Sequence, residues 1–156
     1  MLRVSGGLKA AFDDPEHGWV GLTISRGGEA VTIITSYTPN DPFLDLTNAL
    51  YNLFLYDGEA KVVLHYGSNE YELRFLREGD VVRLDVYEYP DRLRGVGRGE
   101  RFFEASGSYE DICLPFWRAL RNLQGRFSEE ELNARWHRPF PSKEINGLTA
   151  LLRGGR

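Results

Sequence analysis

Residues 61–89 read KVVLHYGSNEYELRFLREGDVVRLDVYEY, and this stretch decides the fold class. Three runs in it alternate apolar and polar side chains: Lys61–Tyr66, Tyr71–Leu76 and Val81–Tyr89. Alternation with a period of two marks strands buried on one face. Only Gly67-Ser68-Asn69-Glu70 and Arg77-Glu78-Gly79-Asp80 separate the runs, so each connection is a hairpin. The stretch therefore predicts an antiparallel meander.

Phase gives every residue of the meander a side. Leu73 and Phe75 share one face with Val82, Leu84 and Val86, and the other face carries Glu72, Arg74, Arg83, Asp85 and Tyr87. A tight turn at Glu78-Gly79 would set Arg74 against Arg83 and Glu72 against Asp85, and like charges directly opposite are unfavourable. A four-residue loop sets Arg74 against Asp85 and keeps the apolar face in phase. Diagonal Arg74–Asp85 and Glu72–Arg83 contacts could rescue the tighter pairing, so both registers stay open. A slip by one residue is excluded, because it would turn the apolar set outward.

Working outward, Trp19–Ser25 and Glu29–Thr38 read as a hairpin turned by Arg26-Gly27-Gly28, with a further strand near Leu8–Phe12. Asp41 and Pro42 open a helix to Tyr56, which Asp57-Gly58 ends. Its apolar face is wide: Phe43, Leu46, Leu50 and Leu53 in one stripe, Leu44, Tyr51 and Leu55 beside it. Arg101–Ser106 returns as a last strand. Ser108 starts a helical segment to about Gln124, kinked or restarted at Pro115 and stopped by Gly125. Ser128-Glu129-Glu130-Glu131 is a capping box for a short helix carrying Leu132 and Trp136, and Ser142 caps a final helix with Ile145, Leu148 and Leu152. The expected fold is α+β, a single domain over residues 1–156. It has one twisted, mainly antiparallel sheet of five to six strands with helices on one face, in the order ββαβββ(β)ααα.

A chain of 156 residues can bury one proper core. It has no apolar run of membrane-spanning length, and its first residues lack a leader's apolar stretch, so a cytoplasmic location is expected. The single cysteine, Cys113, excludes an internal disulfide. Flanked by Ile112, Leu114 and Phe116, it reads as a buried hydrophobe rather than a nucleophile. Charge is unevenly placed. Residues 1–90 hold 7 Lys/Arg against 14 Asp/Glu, and residues 91–156 hold 12 against 9. Such a balance disfavours a general nucleic-acid binder.

Four constellations bear on chemistry. The turn Asp13-Asp14-Pro15-Glu16-His17 packs ligand-type residues together but lacks the spacing of a calcium loop. His17, His65 and His137 have no partner at zinc spacing, so neither a metal nor a cofactor is expected. The segment 91–101 is rich in Gly and Arg, and Arg92, Arg94, Arg98 and Arg101 could hold an anion or nucleic acid. Its glycines match neither the dinucleotide fingerprint nor the P-loop. The fourth is the polar face of the meander. Glu72, Arg74, Arg83, Asp85 and Tyr87 combine charge with aromatic contact area, a composition suited to a protein partner.

The order of elements resembles that of small bacterial α+β proteins of unknown function, including immunity proteins that neutralise a toxin partner. That resemblance implies a protein-binding role and transfers no individual residue. Three functional readings follow. The first is a non-catalytic protein-binding module of immunity or adaptor type, with homodimerisation open. The second is a small-ligand protein or enzyme whose site assembles from distant residues such as Arg74, Arg83 or His65. The third is anion or nucleic-acid binding through the Gly/Arg segment.

Overall fold

The computed structural model describes residues 7–90 and 99–154. Among these the chain is α+β, with seven strands in two antiparallel sheets and five helices. The first sheet is β1 (Lys9–Phe12), β2 (Trp19–Arg26) and β3 (Glu29–Ser36) in that order. Helix α1 (Pro42–Leu55) then leads to the second sheet: β4 (Gly58–Tyr66), β5 (Asn69–Glu78), β6 (Val81–Tyr89) and β7 (Glu100–Gly107), again in chain order. Four helices follow: α2 (Tyr109–Ile112), α3 (Leu114–Arg126), α4 (Glu129–Trp136) and α5 (Ser142–Gly154).

The expected single sheet is thus two. The reason lies at the seam between β3 and β4, which lie side by side without ladder pairing. Side chains bridge there instead. The His65 amide donates to Thr35 Oγ1 at 3.1 Å, and Asn40 Nδ2 donates to the Val63 carbonyl at 2.9 Å. The Trp19 and Tyr66 rings meet edge to face across the same seam, 5.7 Å apart. No alternation pattern announces that a neighbouring strand will be held by a threonine and an asparagine.

The meander forms with Arg74 opposite Asp85 and Glu72 opposite Tyr87, which is the register the charges favour. The loop is shorter than the four residues that were the alternative for this register, because pairing runs on to Glu78 and Val81. Gly79 and Asp80 alone make the turn, and Gly79 takes a φ of +63° that glycine adopts without steric cost. Where Pro115 interrupts the helical pattern, the helix restarts. Cys113 closes α2 and precedes α3, and Pro115 falls in the first turn of α3. Gly125 lies inside α3 rather than ending it, and Ser142 is the first residue of α5 rather than its cap.

The buried side chains form one cluster between the sheets and the helices. Leu73, Phe75, Val82, Leu84 and Val86 are fully buried, as the phase requires. Phe75 meets Phe116 of α3, and Phe43 of α1 is ringed by Phe12, Trp136 and Phe140 at centroid distances of 4.6–5.1 Å. The caps of α1, α2 and α4 match the sequence. Asp41 Oδ1 accepts from the amides of Phe43 and Leu44, and Ser108 and Ser128 each complete a capping box. No helix among the described residues is long and apolar enough to cross a membrane.

Candidate functional site

The face of the second sheet turned away from the core is the candidate site. Cross-strand pairing orders it into rows: His65–Glu70–Tyr89, Val63–Glu72–Tyr87–Arg101, Lys61–Arg74–Asp85–Glu104 and Glu59–Leu76–Arg83–Ser106. All five residues expected to form a partner-binding surface, Glu72, Arg74, Arg83, Asp85 and Tyr87, fall on this face.

They divide into two clusters. In the first, Glu72 is buried at 1% exposure although it sits on the polar side. Arg74 donates to Glu72 Oε1 from Nε at 3.0 Å and from Nη2 at 2.6 Å. Nη2 also donates to the Tyr89 hydroxyl at 3.2 Å, and the guanidinium lies 4.2 Å above the centre of the Tyr87 ring. Burial works against the arginine's charge, but the bonds it donates to Glu72, and that carboxylate's charge, outweigh it and hold its pKa above the ordinary value. In the next row His65 faces Glu70, with Nδ1 3.7 Å from the carboxylate.

The second cluster is an open ring of alternating charge. Arg83 pairs with Asp85 at 3.0 Å and with Glu104 at 3.1 Å. Arg101 approaches the same two carboxylates, at 3.6 Å and 3.2 Å. Arg83, Arg101 and Glu104 are each about half exposed, whereas Asp85 is mostly covered. Exposed pairs of this kind add little to stability, but sharing two acids between two arginines fixes where each head group sits.

Of the expected anion-binding arginines, Arg101 alone is among the described residues. Arg92, Arg94 and Arg98 lie outside the described residues. Arg101 belongs to β7 and joins the outer-face ring, with Asp85 and Glu104 against it. Sequence reasoning missed Tyr89, Glu70, Glu104 and Arg101 as members of this face. Tyr89 was within reach, since it continues the alternation of Arg83, Asp85 and Tyr87. Glu104 and Arg101 were not, because a β-bulge in β7 opposite Val86 and Tyr87 breaks the period that would have placed them on one side.

The remaining candidates take structural parts. In the acidic turn, Asp13 Oδ1 accepts from the Gly21 amide at 2.8 Å, Asp14 pairs with Arg126, and Glu16 pairs with Arg135 at 3.0 Å. Cys113 is fully buried, and burial pushes its thiol pKa up to about 12. Among the described residues no group of three or more His, Cys, Asp or Glu side chains is placed to hold a metal ion.

Two clefts that share Arg26 and Glu104 border the face at β7. One, of about 290 Å³, is lined by Arg26, Arg83, Glu104, Ala105 and Ser106. The other, of about 350 Å³, reaches from Arg26 and Glu29 at the β2–β3 turn to Arg101 and Phe103. An apolar groove of about 250 Å³ lies elsewhere, among the helices, between Phe54, Tyr109, Leu114 and Trp117. Comparison with known protein families, with curated proteins and with solved structures finds no match for this chain.

Proposed function

We propose that the protein is a non-catalytic recognition module that binds another protein through the outer face of β4–β7. The observation that supports this reading best is the ring of Arg83, Asp85, Arg101 and Glu104 beside the Arg74–Tyr87 stack. It presents exposed guanidinium groups already held in fixed positions, so little ordering is lost when a partner's polar groups meet them. Arginine and tyrosine are the residue types that concentrate binding energy at such surfaces. The test is affinity capture from the native host with the wild-type chain and with an Arg83→Glu/Arg101→Glu double variant. A stoichiometric protein recovered with the wild type and lost with the variant supports the reading. Equal recovery by both refutes the face, and turnover of a substrate by the purified chain refutes the non-catalytic role.

One observation favours a second reading, a small-ligand site or enzyme. His65 and Glu70 oppose each other one row from the buried Glu72–Arg74 pair, which brings an imidazole, two carboxylates, a guanidinium and the Tyr89 hydroxyl into adjoining rows. Such neighbours can serve acid–base chemistry. A His65→Gln variant that leaves partner capture intact but abolishes a measured turnover would favour it over the first.

A further inference from the structure

The free edge of β7 is the feature the face alone does not use. Other strand edges are covered: β3 and β4 lie against each other, and α3 packs on β1, where Arg126 Nη2 donates to the Phe12 carbonyl at 2.9 Å. Strand β7 pairs with β6 on one side only, and its eight residues make no further backbone–backbone hydrogen bond among the described residues. The bulge at Phe102 interrupts the first half of the edge, which blunts it against pairing. Phe103–Gly107 beyond it pairs regularly with Val82–Val86 and presents an unbroken row of backbone groups outward.

The first cleft runs along this regular half, through Glu104, Ala105 and Ser106, and the second spans the bulge from Arg101 to Glu104. The β2–β3 turn bounds them on the far side through Arg26 and Glu29, so the space suits one extended segment rather than the edge of a second folded sheet. Charge selects the segment further. Arg83 and Arg101 are already matched by Asp85 and Glu104. Arg26 lines both clefts and Glu29 only the second; both are exposed and make no ion pair among the described residues. In the first cleft, which Glu29 does not line, a carboxylate on an incoming strand would be the first partner of Arg26.

From this juxtaposition we infer that β7 takes an extended peptide segment of a partner protein as an added strand over Phe103–Gly107, with an acidic side chain of that segment against Arg26. Main-chain bonds to β7 give such a complex its affinity, and alternate side chains give it its choice of sequence. The inference rests on the protein-binding reading and names the partner's form.

The probe is a capped synthetic hexapeptide, Val-Glu-Val-Glu-Val-Gly, titrated into the isotope-labelled full chain and followed by amide NMR. The expected result is shifts and slowed exchange confined to the amides of Phe103–Gly107 and the Arg26 region. The same peptide with lysine for glutamate should bind about tenfold more weakly, and Arg26→Glu should reverse that preference. A peptide N-methylated at alternate residues should not bind. Unchanged β7 amides, equal binding of the two peptides, or no reversal in Arg26→Glu overturns the inference. So does protection of β7 that grows with protein concentration alone, which would give the edge to a second copy. If the peptide fails while the Arg83→Glu/Arg101→Glu variant still loses its captured partner, strand addition is wrong and the face reading stands.

Discussion

Replacing Asp41 separates two jobs that one carboxylate performs. Asp41 Oδ1 accepts from the Phe43 and Leu44 amides at 3.1 Å and 3.4 Å and from Trp136 Nε1 at 3.3 Å, joining the start of α1 to the end of α4. Trp136 itself is fully buried. Asp41→Ala removes the cap, which costs about 1 kcal/mol. It also leaves the buried indole N–H without an acceptor, at a further ~1–3 kcal/mol. The expected loss is therefore about 2–4 kcal/mol. Asp41→Asn keeps an oxygen for all three donors and caps as well as aspartate does, so its cost should stay below about 1 kcal/mol. The pair also behaves differently with pH. Burial raises the Asp41 pKa above 3.8, only partly offset by the Trp136 and backbone bonds and by Arg138. A carboxyl with a raised folded-state pKa binds its proton more tightly folded than unfolded, so wild-type stability falls as pH climbs from 3.8 through the raised value. The asparagine variant lacks this loss, and should gain on the wild type across the same window. Urea unfolding of all three proteins at several pH values measures both effects. Equal stability of Asp41→Ala and Asp41→Asn, or a gap to the wild type that does not move with pH, would refute the reasoning.

Gly18 has a φ of +79°, and a Cβ there would sit 2.5 Å from the Tyr37 ring, so Gly18→Ala should lower stability by about 1–3 kcal/mol in thermal unfolding. Leu84→Ala, fully buried at the centre of β6, should cost about 2–5 kcal/mol by denaturant titration without altering partner capture. Cys113 should resist thiol reagents at neutral pH in the folded protein and react at once in denaturant, because its thiol is fully buried and its pKa is pushed up to about 12.

The parts of the fold legible in the sequence were those written in local chemistry. Alternation in Val82, Leu84 and Val86 fixed the buried face of β6, and charge opposite charge at Arg74 and Asp85 favoured the register that formed. Capping residues placed the starts of α1, α2 and α4, and Pro115 marked the restart of α3. What was not legible depends on long-range partners. Nothing around Thr35 says that its hydroxyl will take the His65 amide 30 residues later and stand in for a ladder bond. The outer face was half legible for the same reason. Phase put Glu72 and Arg83 on one side, but burial of Glu72 and the closing of the ring by Glu104 and Arg101 depend on how the strands curve and on a bulge.

The uneven charge of the chain acquires a mechanical meaning in the structure. The acidic first half and the basic second half are drawn together by three arginines from the helical region. Arg126 reaches Asp14 and the Phe12 carbonyl, and Arg135 reaches Glu16 and the Pro15 carbonyl. Arg138 reaches the Tyr37 carbonyl at 2.6 Å. The acidic turn is thus a fastening between the first sheet and the helices. The charges spent there are not offered to a partner. On the described outer sheet face each arginine has an acid of the same face against it, whereas Arg26 and Glu29 at the cleft make no ion pair among the described residues. Overall charge therefore says little about what this protein binds. The informative quantity is the local remainder after internal pairing, and among the described residues Arg26 and Glu29 supply it at the cleft beside β7.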